Sequence, residues 1–81
     1  MSTEESIVFC AFRYALGRMT YVVNEVATYI IDRRHSLSAD FAKLVIREIS
    51  EAEAKGRIGM DCDHEDWMNV RRALTAPYNY P

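Results

Sequence analysis

Between Ser38 and Gly56 the apolar residues Phe41, Leu44, Val45, Ile49 and Ala52 recur at helical spacing. They form a single stripe along one side of an α-helix. Ser38 stands where an N-cap belongs, Asp40 falls in the first turn, and Gly56 lies just past the end. The segment predicts a helix over about residues 39–55 with its stripe buried. Arg47 with Glu51, and Glu51 with Lys55, fall at i,i+4 spacing on the wet side. A chain of 81 residues that commits so much of itself to one element has room for a single thin core.

The flanking segments extend the same pattern. Ser2 followed by Glu5 fits a capping box and opens a helix over about residues 4–16. Along it Val8, Phe12 and Ala15 make one stripe, and Ile7, Ala11 and Tyr14 make another. Together they form a wide apolar face that predicts a largely buried helix. Gly17 is suited to end it, because glycine takes a left-handed conformation without steric cost. Thr20 then caps a helix over about 21–34. Its many β-branched residues would suit a strand, but Val22, Val26, Tyr29 and Ile30 share a helical face and no alternation in steps of two exists. Arg33, Arg34 and His35 close it, where cations suit the carbonyl end of a helix. Asp63 caps a last helix over about 64–75, carrying Trp67, Val70, Arg71 and Leu74, and Pro77 stops it.

The expectation is an all-α fold, a small four-helix domain spanning residues 1–81, with 77–81 as an extended tail. The connections are short, so consecutive helices should pack as neighbours. The expected core is Phe9, Phe12, Val26, Ile30, Phe41, Leu44, Val45, Ile49, Trp67 and Leu74. With 3 Gly and 2 Pro, the chain lacks the loop-forming material of a sandwich built on many turns.

Charge and composition exclude several functions. Ten basic and twelve acidic residues are spread along the chain for a net charge of −2, so it is neither a basic nucleic-acid arm nor an acidic DNA mimic. No stretch approaches the ~20 apolar residues of a membrane span, and Glu4 and Glu5 stand where a signal peptide carries positive charge. A cytoplasmic protein with reduced Cys10 and Cys62 is the expectation, against which a Cys10–Cys62 disulfide is the alternative.

Sites for chemistry are few. Asp61, Asp63 and Glu65 hold the first, third and fifth places of a calcium loop, but Asp66 and Arg72 occupy the places that need Gly and Glu. Cys62 and His64 lack a second pair at zinc-finger spacing. These acids read better as caps and first-turn residues of a helix, and neither metal nor cofactor is expected. Cys10 sits in the most apolar helix, where thiols are usually inert. Neither His35 nor His64 has a nucleophile beside it in sequence, and Gly56 with Gly59 forms no phosphate loop. The expectation is a protein that is not an enzyme.

Eight of the ten basic residues are arginine, the residue that pairs with carboxylate and phosphate and stacks on rings at interfaces. Arg13, Tyr14, Arg18 and Tyr21 gather around Gly17. They read as a patch for a protein carboxylate or a nucleotide phosphate, or else as arginines paired within the fold to Glu25, Asp32 or the acids of 61–66. A helix-turn-helix formed by the second and third helices is opposed by Asp40, Glu48, Glu51 and Glu53, which would face phosphates.

The segment Phe12-Arg13-Tyr14-Ala15-Leu16-Gly17-Arg18-Met19-Thr20-Tyr21, then Gly56-Arg57-Ile58-Gly59-Met60-Asp61 and Trp67, resembles small phage-encoded accessory proteins, over about residues 9–70. The resemblance implies no active site. It implies a context in which such proteins inhibit host defence, anti-CRISPR proteins among them, by stoichiometric binding to a host protein or by sequestering signalling nucleotides. The expected contacts are Arg13, Arg18 and Tyr21, with Asp61, Asp63, Glu65 and Asp66 as a second patch for a basic partner. A homodimer is also expected, because so small a domain with wide apolar faces does not cover all its hydrophobic surface alone.

Overall fold

The computed structural model describes residues 2–18, 21–58 and 62–75, without the side chains of Tyr21, Cys62 and Asp63. Among these residues the chain is all α, with no strand. The helices are α1 (Thr3–Ala15), α2 (Tyr21–Asp32), α3 (Ala39–Ala54) and α4 (Cys62–Thr75), with one 3-10 turn at Arg34–Ser36. The predicted four-helix domain is what forms. The expected caps at Thr20 and in the acids before α4 fall partly outside the described residues. The helix itself begins at Cys62, so Asp63 lies in its first turn and not at its cap.

Local chemistry sets the helix ends. The Ser2 hydroxyl accepts the Glu5 N–H at 3.1 Å, and the Glu5 carboxylate accepts the Ser2 N–H at 3.2 Å, a complete capping box. Ser38 Oγ accepts the Phe41 N–H at 3.1 Å and so caps α3. Past α3, Gly56 has φ +70°. The Arg57 N–H donates to the Ala52 carbonyl at 2.8 Å and the Gly56 N–H to Glu53 at 3.1 Å, the bond pair of a Schellman motif. Past α1 the chain turns differently. Leu16 at φ −62°, ψ 125° and Gly17 at φ +87°, closed by the Arg18 N–H on Ala15, make a type II turn, which needs positive φ at its third residue.

The helices pack α1 on α2, α2 on α4, and α4 on α3. The expectation that consecutive helices are neighbours fails for α2 and α3. The 3-10 turn and Leu37, buried at 7% exposure, carry the chain away from α2, and α4 takes the place beside it. Trp67, Phe12, Phe41, Ile30, Ile49 and Leu74 are fully buried with Val23, Val45 and Val70. Phe12 meets Trp67 edge-on with ring centres 5.3 Å apart, and Phe9 meets Phe41 at 6.2 Å. Three members of the expected core, Phe9, Val26 and Leu44, are only half-buried. In α2 the core face is Val23, Ala27 and Ile30, a rotation from the expected face that leaves Val22 and Val26 at the boundary and Tyr29 exposed.

Two polar clips hold the ends of this arrangement. The Glu5 carboxylate, only 6% exposed, also accepts the Ser38 N–H at 2.7 Å and the Ser38 hydroxyl at 3.3 Å, tying the start of α1 to the start of α3. Glu53 on α3 meets His64 at 3.1 Å and Arg71 at 3.2 Å, both on α4. These contacts join α3 to α4, whereas the pairs expected of Glu51, with Arg47 and Lys55, would have run along α3 alone. No described helix is long and apolar enough to cross a membrane.

Candidate functional site at the outer face of α1 and α2

The sequence of α1 carries two apolar stripes, and the core has room for one. Val8, Phe12 and Ala15 are buried. Ile7, Ala11 and Tyr14 are exposed, Ile7 at 66% and Tyr14 at 61%. The expectation that both stripes are buried is therefore corrected: successive residues turn by about 100°, and the helix presents only its inner side to α2 and the core. Cys10, expected as an inert packing group, is exposed as a free thiol.

A shallow groove of about 330 Å³ runs between α1 and α2, lined by Ile7, Val8, Ala11, Glu25, Val26 and Tyr29. At one end Tyr29 donates its hydroxyl to Glu4 at 3.3 Å, and the Arg33 guanidinium covers its ring at 3.7 Å. At the other end of the stripe the Arg18 guanidinium lies over the Tyr14 ring at 4.3 Å, anchored by its Nε–H on the Tyr14 carbonyl at 2.7 Å. The α1 stripe is thus apolar along its length, with Glu4 at its start and Arg18 at its end, while α2 contributes Glu25 to the groove and Arg33 at the Glu4 end.

Among the described residues, Arg13 and Arg18 do not come together on one face. Arg18 joins this surface through Tyr14. Arg13 is exposed, but sits about 100° round the helix from Tyr14 and farther from Ile7 and Ala11, so Arg13 and Arg18 do not share a face. Tyr21 begins α2, and its side chain lies outside the described residues, as do Asp61 and the side chain of Asp63. Glu65 is exposed on α4 and Asp66 is half-buried. Elsewhere Arg34 donates to the Ile31 carbonyl at 2.7 Å, Arg72 to Asn69, and Arg71 to Glu53 and to Ser50 Oγ at 3.2 Å.

The pair most like a catalytic arrangement is His64 with Glu53. His64 and Arg71 together hold the Glu53 carboxyl below its ordinary pKa, with the His64 hydrogen bond the largest cause. Glu53 is partly exposed and spans α3 and α4, a placement suited to joining helices. Among the described residues no group of His, Cys, Asp and Glu is arranged to hold a metal ion. Compared with family models, with curated proteins and with solved structures, the chain matches none.

Ile7, Ala11, Tyr14 and Tyr29 were legible as apolar, and what the spacing did not decide is that these are the ones left exposed. One signal was present: Glu4, Ile7, Ala11, Tyr14 and Arg18 run at alternating spacings of three and four with a charge at either end, the layout of a helix seam and not of an interior.

Proposed function

We propose that the chain is a non-enzymatic protein-binding module that acts by stoichiometric association through the outer face of α1 and α2. The observation that carries this reading is the exposure of Ile7 and Tyr14 on a helix whose other side supplies the core. Fully burying a side chain of this kind is worth about 1.5–3 kcal/mol, and apolar contact flanked by arginine and tyrosine is the composition of interface centres. The phage-like motifs favour a host defence complex as the target, met in the host cytoplasm by an anti-CRISPR-like inhibitor. Glu65 and Asp66 remain candidates for a basic region of that target. The Arg18–Tyr14 stack favours a second reading, a small nucleotide-binding protein, in which the ring and guanidinium hold a base and a phosphate. The divergence of Arg13 from Arg18 places that reading second.

Affinity capture from bacterial lysates that contain defence systems, run in parallel with wild type and Ile7→Asp, tests the proposal. A stoichiometric partner held by wild type and lost by the variant supports it. Equal capture by both moves the interface elsewhere, and capture by neither overturns it. A thermal-shift screen with mono- and cyclic dinucleotides tests the second reading, which predicts a shift that Arg18→Ala abolishes.

A further inference from the structure

We propose that the exposed stripe of α1 is covered by a second copy of this chain, the two α1 helices lying antiparallel about a two-fold axis beside Ala11. The inference rests on the reading of this face as a protein interface and adds its occupant in the free protein: a second copy covers the stripe, and a host target competes with that copy for the same residues. Along the stripe come Glu4, Ile7, Ala11, Tyr14 and Arg18. It is acidic where α1 starts, basic where α1 ends, and small at its centre. Turning a second copy end over end sets Glu4 opposite Arg18, Ile7 opposite Tyr14, and Ala11 opposite Ala11. The pattern is complementary to its own reverse, which is the condition a two-fold interface imposes. Parallel pairing would set acid against acid and arginine against arginine, a costly juxtaposition.

The local geometry supports each match. Helix α1 ends at Ala15, yet the type II turn at Leu16 and Gly17 brings Arg18 back over the Tyr14 ring. The positive charge therefore sits on the last apolar residue of the stripe and not beyond it. Ile7 of the second copy meets a ring already backed by a guanidinium, and Glu4 of that copy reaches the same guanidinium. Ala11, with the smallest side chain of the stripe, allows close approach where the axes cross. Val26 and Tyr29 border the stripe along the groove and widen the apolar area that the second copy covers. A foreign helix has no reason to carry the reversed charge order, whereas a second copy carries it necessarily.

Sedimentation equilibrium over micromolar to hundreds of micromolar concentrations tests the proposal. The expected particle is twice the chain mass of 9.4 kDa. Arg18→Glu and Glu4→Arg should each weaken association at least tenfold, and the double reversal in one chain should restore it. Circular dichroism of each variant separates loss of pairing from loss of fold. A monomer at every concentration overturns the homodimer, while the interface reading is decided separately by the capture of a foreign partner by wild type and Ile7→Asp. A dimer indifferent to both single reversals, or a double reversal that fails to restore pairing, overturns the antiparallel arrangement.

Discussion

Glu5 Oε2 accepts the backbone N–H of Ser38 at 2.7 Å, across 33 positions of sequence, while the same carboxylate closes the capping box of its own helix. One buried acid thus satisfies the free N–H groups at two helix starts. Helices α1 and α3 begin side by side because of it. Glu5→Ala should destabilise the fold by about 1.5–3 kcal/mol, the range for hydrogen bonds to a charged group, and Ser38→Ala by about 1 kcal/mol as a lost cap. Because the two residues share bonds, the double variant should cost less than the summed single losses. Urea unfolding of the four proteins measures this.

The same contact makes stability depend on pH. The Ser38 N–H, as the largest cause, holds the Glu5 carboxyl below its ordinary pKa against the opposing effect of burial, and His64 and Arg71 lower that of Glu53. A carboxyl with a lower pKa in the folded chain binds fewer protons there than when unfolded. Its stabilisation is complete above the ordinary glutamate value of about 4.3 and is lost as pH falls through the folded value. Thermal melts between pH 7 and pH 2 should therefore decline in the acid region, and Glu5→Gln should flatten that decline.

The two sides of α1 and the stripe of α3 should respond differently to mutation. Ile49→Ala removes a fully buried side chain and should cost about 2–5 kcal/mol. Ile7→Asp alters an exposed one and should change the stability of the isolated fold by no more than about 0.5 kcal/mol. Melts at low protein concentration check both.

Gly17 at φ +87° occupies backbone that other residues adopt at a cost of roughly 1–2 kcal/mol. A Cβ there would also come within 3.3 Å of the Arg57 carbonyl, whereas one at Gly56, φ +70°, would meet open space. Gly17→Ala should therefore destabilise more than Gly56→Ala, as read by urea midpoints.

What was legible in the sequence was local. Ser2 with Glu5, Ser38, Gly17 and Gly56 act within a few residues of themselves, so their spacing alone locates the ends of α1 and α3. The stripe of α3 is narrow enough to leave one orientation. Helix α1 is apolar over so wide an arc that Val8–Phe12–Ala15 and Ile7–Ala11–Tyr14 compete equally for the core, and only the position of α2 decides between them. The face of α2 was ambiguous for the same reason. Glu5 with Ser38, and Glu53 with His64 and Arg71, join residues distant in sequence, where no period reports on proximity. Of the expected contacts, Arg18 borders a glycine turn, which sets it over the Tyr14 ring. Arg13 points away from that ring, as adjacency along a helix, which separates side chains by about 100°, already implies.

Disulfide trapping at position 11 tests most directly the claim that the outer face of α1 is an interface with a second copy. In a chain carrying Cys10→Ser and Cys62→Ser, Ala11→Cys should form a covalent dimer on mild oxidation, because position 11 meets itself at the two-fold axis. Ser6→Cys, exposed on another side of the helix, should not. Dimer from Ala11→Cys alone is the predicted result; no dimer from Ala11→Cys, or equal yields from both positions, would contradict the account.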